Sequence, residues 1–215
     1  FIKKQTFDRA KEIIVSSNLM KDRLVVRGVD ILKIRVVPNG VDLSRFMPHL
    51  DTREIILKHK LENKKVLLTV SRLDDYKGHD NVIRALPRLI SRFTDIAYLI
   101  VGTGPHEERL RKLTDELKLD GHVIFTGWVD GAILPLYYNL CDVFIMLSRE
   151  IYNEAKVEGF GIVFLEASAC GKPIIAGRSG GIEAAVADRV TGILVDPLDQ
   201  DGIESAAGKI LSDKN

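Results

Sequence analysis

The sequence predicts an α/β fold, a parallel sheet whose strands are joined by crossover helices. Three observations carry the prediction. Short apolar runs rich in Val and Ile alternate with longer amphipathic ones, the pattern of strands buried on both faces and linked by helices. Glycines and polar residues gather just behind the strand candidates, at the carboxyl ends where open α/β sheets bind ligands. A 215-residue chain with 46% hydrophobic and 28% charged content suits one large globular domain, or one and a small part of another.

In chain order, the β-branched apolar runs place strands at Ile13–Ser16, Ile34–Val37, Val66–Val70, Tyr98–Val101, Val123–Thr126, Val143–Leu147, Ile174–Ala176 and Ile193–Val195. Helices are expected between them at Met20–Arg27, Thr52–His59, Asn81–Arg92, Glu107–Leu117, Leu134–Leu140, Ile162–Ala169, Ile182–Ala187 and Gly202–Leu211. In Asn81–Arg92 the side chains of Val82, Ile83, Leu86, Leu89 and Ile90 share one face at helical spacing. Pro87 should kink that helix or mark a late first turn. Ser179, Gly180 and Gly181 are expected to cap the helix after them, with Glu183 near its positive end. The polar stretch Arg149–Val157 is expected to be a mobile loop.

The 31 Lys and Arg against 30 Asp and Glu leave the chain nearly neutral, which disfavours a nucleic-acid-binding surface. No apolar run approaches the ~20 residues of a membrane span, and the two cysteines, Cys141 and Cys170, are expected to be buried thiols in a cytoplasmic protein. The five histidines are scattered without ligand spacing, so no metal site is expected. Without an initiator Met, the segment from Phe1 to Arg9 reads as the middle of a longer chain.

The most informative segment is EGFGIVFLE, which begins at Glu158 and ends at Glu166. One carboxylate precedes a helix start and a second falls about one turn inside it. The first amides of a helix are unpaired and carry a partial positive charge, so that end is an anion site. Carboxylates are good acceptors for sugar hydroxyls. The combination points to a ligand with hydroxyls at both ends and phosphate between, which describes a nucleotide sugar. In SRLDDYKG, behind a strand, Arg72 offers a bidentate fork for phosphate oxygens and Lys77 a second point charge, although Asp74 and Asp75 are close enough to neutralise them.

VGTGPHEERL matches only the first part of a dinucleotide fingerprint, since Glu107 stands where the third glycine belongs, and NAD binding is rejected. Gly127–Trp128–Val129 closes a strand. Its backbone suits a flat base, while Trp128 serves equally well as a packing residue. There is no GxxxxGK[ST] for ATP chemistry and no GxSxG for hydrolysis.

Taken together, VPNGVD from position 37, SRLDDYKG from 71, VGTGP from 101, FTGWV from 125, EGFGIVFLEASACGKPIIA from 158 and SGGIEAAV from 179 resemble, in order, family 4 of the retaining glycosyltransferases. Those enzymes have the GT-B fold of two Rossmann-like domains across a cleft, and the resemblance spans the C-terminal, donor-binding half. Its longest block is most similar to bacterial enzymes that mannosylate lipids such as phosphatidylinositol. The resemblance implies the following roles. Arg72 and Lys77 hold the donor diphosphate and, with Glu158, make up the catalytic set. Glu158 accepts from the transferred hexose, and the amides of Phe160, Gly161 and Ile162 touch sugar and phosphate. Glu166 binds the ribose, the Val129 main chain meets the base, and Gly40 lies near the interdomain cleft.

It further implies a UDP- or GDP-hexose donor, transfer without a cofactor or metal, and an acceptor lipid or saccharide held by a domain that this chain lacks. Peripheral membrane association of the full-length enzyme is left open. Residues 1–27 are expected to be a remnant of that acceptor domain and hinge, with residues 28–215 as the donor domain. By itself the chain is expected to bind a nucleoside diphosphate and transfer no sugar. A nucleotide-sugar epimerase of the same architecture and a stand-alone binding module are the alternatives.

Overall fold

A computed structural model describes residues 2–151 and 156–213. A helix α1 (Ile2–Arg9), which the periodicity did not suggest, precedes a small parallel pair, β1 (Ile13–Val15) and β2 (Ile34–Val36), linked by α2 (Asn18–Val26). β1 lies before residue 28 and β2 after it, so the two halves expected from sequence meet within one paired unit. A six-stranded parallel sheet follows, made of β3 (Lys65–Val70), β4 (Ile96–Val101), β5 (Val123–Gly127), β6 (Val143–Met146), β7 (Ile174–Gly177) and β8 (Ile193–Val195). The helices are α3 (Arg53–His59), α4 (His79–Arg92), α5 (Glu107–Glu116), α6 (Leu134–Leu140), α7 (Ile162–Ala169) and α8 (Gln200–Ser212).

The order β5-β4-β3-β6-β7-β8 is that of a doubly wound Rossmann-like sheet. Its direction of winding reverses between β3 and β6, the switch point at whose carboxyl ends sheets of this kind form a ligand-binding crevice. The alternation of side chains along each strand sorts the helices onto two faces. Val66, Leu68 and Val70 pack with Ile55 of α3, Tyr137 and Tyr138 of α6, and Phe164 of α7. Leu67 and Ile145 pack instead with Leu86 of α4, Leu113 of α5 and Ile203 of α8. Phe144 and Ile145 are fully buried, which explains why the central strands read as continuous apolar runs. Burying each such side chain contributes roughly 1.5–3 kcal/mol.

Two sequence expectations are corrected. Pro87 does not mark a first turn: it lies well inside α4, on its exposed face, and the helix continues through it to Arg92. The helix expected at Ile182–Ala187 is only a 3-10 turn, Ile182–Ala184, and no side chain caps it. Cys141 and Cys170 are buried and unbridged. No helix among the described residues is long and apolar enough to cross a membrane.

Candidate functional site

The loop behind β3 turns back toward β6 at Gly78, whose φ is +76°. A Cβ there would lie 2.0 Å from the Leu147 carbonyl oxygen, so only glycine permits the approach. The contact brings the SRLDDYKG loop against the segment leaving β6. It is braced by the Arg149 amide, which donates to the Tyr76 carbonyl at 2.8 Å, and by the Arg149 guanidinium, which grips both Asp80 oxygens at 2.8 and 3.0 Å. Beneath the loop, His79 is buried and bonded to the Ser71 hydroxyl at 3.0 Å. Burial lowers its pKa to about 4, so it packs as a neutral ring.

The expected mobile loop Arg149–Val157 is tied at both flanks. Glu150 pairs with Arg23 of α2, Ile151 and Lys156 form an antiparallel bridge, and Lys156 contacts Asp75 at 3.2 Å. Its centre, 152–155, lies outside the described residues.

Across the crevice, the Lys77 ammonium donates to the Glu158 carboxylate at 2.6 Å, with side chains only 13% and 14% exposed. Shortly after Glu158, the chain enters α7 at Gly161, which has φ +85°. Among the described residues the amides of Phe160, Gly161 and Ile162 have no hydrogen-bond partner. Lys77, Glu158 and this bare helix start therefore form one cluster. Its chemistry is that of an anion cradle with a carboxylate acceptor at the rim.

Gly180 and Gly181 are explained by this cluster. A Cβ at Gly180 would lie 2.4 Å from the Glu158 carbonyl oxygen, and one at Gly181 would lie 2.1 Å from that of Gly159. The Gly181 amide donates to the Glu158 carbonyl at 2.8 Å. These glycines permit close packing on the Glu158 loop; Gly181 also stands at the N-cap of the 3-10 turn, while the Ser179 side chain makes no cap bond. Ser17, ahead of α2, donates its hydroxyl to the Gly159 carbonyl at 2.7 Å, holding the same loop from the other side.

Glu166 lies one turn into α7. Its Oε2 accepts from the phenol of the buried Tyr138 at 2.5 Å. Burial raises its pKa, opposed by the Tyr138 bond and by the charge of Arg45. Arg45 also donates to the Gly131 carbonyl, linking Glu166 to the loop behind β5. In that loop the Val129 N–H and C=O make no hydrogen bond among the described residues. Trp128 is 72% exposed, which removes the packing role the sequence allowed it.

Arg72 stands apart. Its side chain is 74% exposed and pairs with Asp74 at 3.1 Å, the neutralisation its neighbours suggested. Gly40 is exposed with nothing near its absent side chain, and Asn39 beside it shares a surface hollow with Met20. The structure thus joins Lys77 to Glu158 beside Phe160, Gly161 and Ile162, and sets Glu166 deeper along α7. It leaves Arg72 and Gly40 outside those contacts. Sequence reasoning missed Tyr138, Arg45 and Ser17. Only Tyr138 left a signal, a phenol in a buried helix that needs a partner.

A family model described as Glycosyl transferases group 1 matches residues 51–215. The GDP-mannose-dependent alpha-(1-6)-phosphatidylinositol monomannoside mannosyltransferase of Mycolicibacterium smegmatis is 44% identical over 178 residues, 82% of this chain and 47% of that protein. The chain spans about half the length of the curated relatives it matches. Among solved structures, HepE of Anabaena in complex with UDP and glucose superposes with a TM-score of 0.85 at 24% identity, over 95% of this chain and 54% of that one. The C-terminal domain of a glycosyl transferase group 1 family protein, LpcC of Francisella tularensis, matches with a TM-score of 0.69 at 24% identity, over 81% of this chain and 89% of that domain. The chain belongs to the group 1 glycosyltransferase family, and its doubly wound sheet is the C-terminal domain of that family's GT-B fold.

Proposed function

We propose that this chain is the donor-binding half of a retaining glycosyltransferase that moves a hexose from a nucleotide sugar to a hydroxyl of a lipid or saccharide acceptor. The observation that carries the reading is the Lys77–Glu158 pair beside three unpartnered amides at the start of α7. That cluster offers a cation and bare amides to a diphosphate and a carboxylate to sugar hydroxyls. Arg72, at the open rim, swings from Asp74 onto the diphosphate. Glu166 takes the ribose, the Val129 main chain takes the base, and Gly40 faces the interdomain cleft.

Charge that grows on the departing diphosphate meets Lys77 and the helix start, already in place, with Arg72 joining from the rim, and in many enzymes such preorganisation supplies most of the rate enhancement. The acceptor hydroxyl then attacks from the face the diphosphate leaves, and its proton passes to the departing diphosphate. In this reading residues 28–215 bind the donor, and residues 1–27 lead toward the acceptor side. The mannosyltransferase relative favours GDP over UDP as the base and a phosphoinositide-type lipid as the acceptor.

Calorimetric titration of the wild-type chain with GDP and UDP tests the base choice, with GDP expected to bind more tightly. Arg72→Ala should weaken GDP binding about 10- to 100-fold, the loss of one charge-assisted contact. Equal affinity of Arg72→Ala and wild type would remove Arg72 from the diphosphate site.

A further inference from the structure

We infer that Tyr138 is a positioning residue for ribose recognition: its buried phenol fixes the Glu166 carboxylate so that one oxygen faces the crevice. The inference rests on the reading of Glu166 as the ribose acceptor and adds what makes that carboxylate selective.

The geometry is specific. Tyr138 sits on α6, fully buried, with its ring edge-on to Phe46 at 5.8 Å and tilted against Phe144 at 5.5 Å. Both packing contacts fix where the hydroxyl points. That hydroxyl spends its proton on Glu166 Oε2 at 2.5 Å. Oε1 of Glu166 has no hydrogen-bond partner among the described residues and is not sealed from solvent. A carboxylate on a helix otherwise largely apolar in sequence would swing among rotamers if free. Tied at one oxygen to a ring that cannot move, it presents the other in a fixed direction, and less rotamer entropy is lost when a vicinal diol binds. Arg45, from the loop before α3, supplies the opposite charge acting on Glu166, and its bond to Gly131 sets it between Glu166 and the loop of Val129. Cys141 at the end of α6 and Cys170 at the end of α7 flank the tyrosine. Burial raises both thiols, Cys170 to about 11, so neither titrates with Glu166 near neutrality.

Tyr138→Phe removes the hydroxyl and keeps the ring. The test is calorimetric titration of wild type, Tyr138→Phe and Glu166→Ala with GDP, 2′,3′-dideoxy-GDP and pyrophosphate, each at several pH values. In wild type, GDP should bind about tenfold more tightly than its dideoxy counterpart. Tyr138→Phe should bring that ratio to within about twofold of unity while leaving pyrophosphate affinity unchanged. The ribose preference that remains should also fade at a higher pH than in wild type, because the phenol bond is one of the forces that keep Glu166 ionised.

A wild-type ratio in Tyr138→Phe, with the ratio lost in Glu166→Ala, overturns the role of Tyr138 and leaves the ribose site standing. An unchanged ratio in Glu166→Ala overturns both. Should Tyr138→Phe prove unstable, a crystal structure of wild type with GDP decides: the Tyr138 hydroxyl still on Oε2 with the ribose hydroxyls on Oε1 supports the inference, and a phenol turned away from Glu166 or ribose bound on Oε2 in its place overturns it.

Discussion

Lys77→Met is expected to destabilise the free protein by about 3–5 kcal/mol, the largest effect of any single substitution in the crevice. The two partners of the 2.6 Å pair are almost enclosed, and among the described residues neither has an alternative counter-ion. Arg72 is occupied by Asp74 at the rim, and Arg149 is committed to Asp80 behind the loop. Without Lys77 the Glu158 side chain is left in a nearly closed site with no counter-ion. Surface ion pairs are worth far less because water replaces the lost partner. The double variant Lys77→Met/Glu158→Gln should regain most of the loss, since it removes the stranded charge as well. Urea unfolding of the three proteins checks this. A Lys77→Met chain within about 1 kcal/mol of the parent would show that the pair is screened like a surface bridge.

Glu166→Gln should move stability and binding in opposite directions. Burial raises the Glu166 pKa above its ordinary value, and the Tyr138 bond and Arg45 only partly offset this. A carboxyl with a raised folded-state pKa binds its proton more tightly when folded, so the folded state loses stability as pH rises through that pKa. The cost grows as pH rises through that raised pKa and vanishes below the ordinary carboxyl range. Glutamine keeps the shape and still accepts from Tyr138, yet carries no charge to desolvate. The melting temperature should therefore rise at pH 7 and match wild type at about pH 3.5–4 or below, to the order of the shift. Over the same substitution GDP affinity should fall about tenfold or more, because ribose hydroxyls lose an ionised acceptor. A variant that is both less stable at pH 7 and equally able to bind GDP would contradict the account of Glu166. Sites of this kind hold groups whose ligand-free environment is unfavourable to them, and stability is given up for function.

What the sequence disclosed, and what it withheld, follows the range of the interactions. Central strands such as β4 and β6 were legible because parallel strands buried on both faces must be apolar at every position. The bounds of α6 and α7 were legible because Pro135 sits in the first turn of one and Gly161 takes a left-handed conformation before the other. Lys77 and Glu158 were both identified, but their mutual pairing was not, since 81 residues separate them. One reading of Pro87, a late first turn, failed because α4 already begins at His79 and runs through the proline, which periodicity alone does not show. Ser179–Gly180–Gly181 suggested a cap, a local role that Gly181 fills without a side-chain bond, but the glycines also serve a contact with Glu158 and Gly159 that local pattern cannot express. Ser17 reaches Gly159 across 142 residues, and Tyr138 reaches Glu166 across 28, so neither partner was visible in a linear scan.

The central claim is that one crevice at the carboxyl ends of β3 and β6 holds a nucleoside diphosphate between two acidic residues. A crystal structure of this chain grown with GDP tests it most directly. The diphosphate is expected within hydrogen-bond distance of Lys77, Arg72 and the amides of Phe160, Gly161 and Ile162, with the ribose on Glu166 and the base against Val129. GDP bound elsewhere on the domain, with the Lys77–Glu158 pair and the start of α7 untouched, would contradict it.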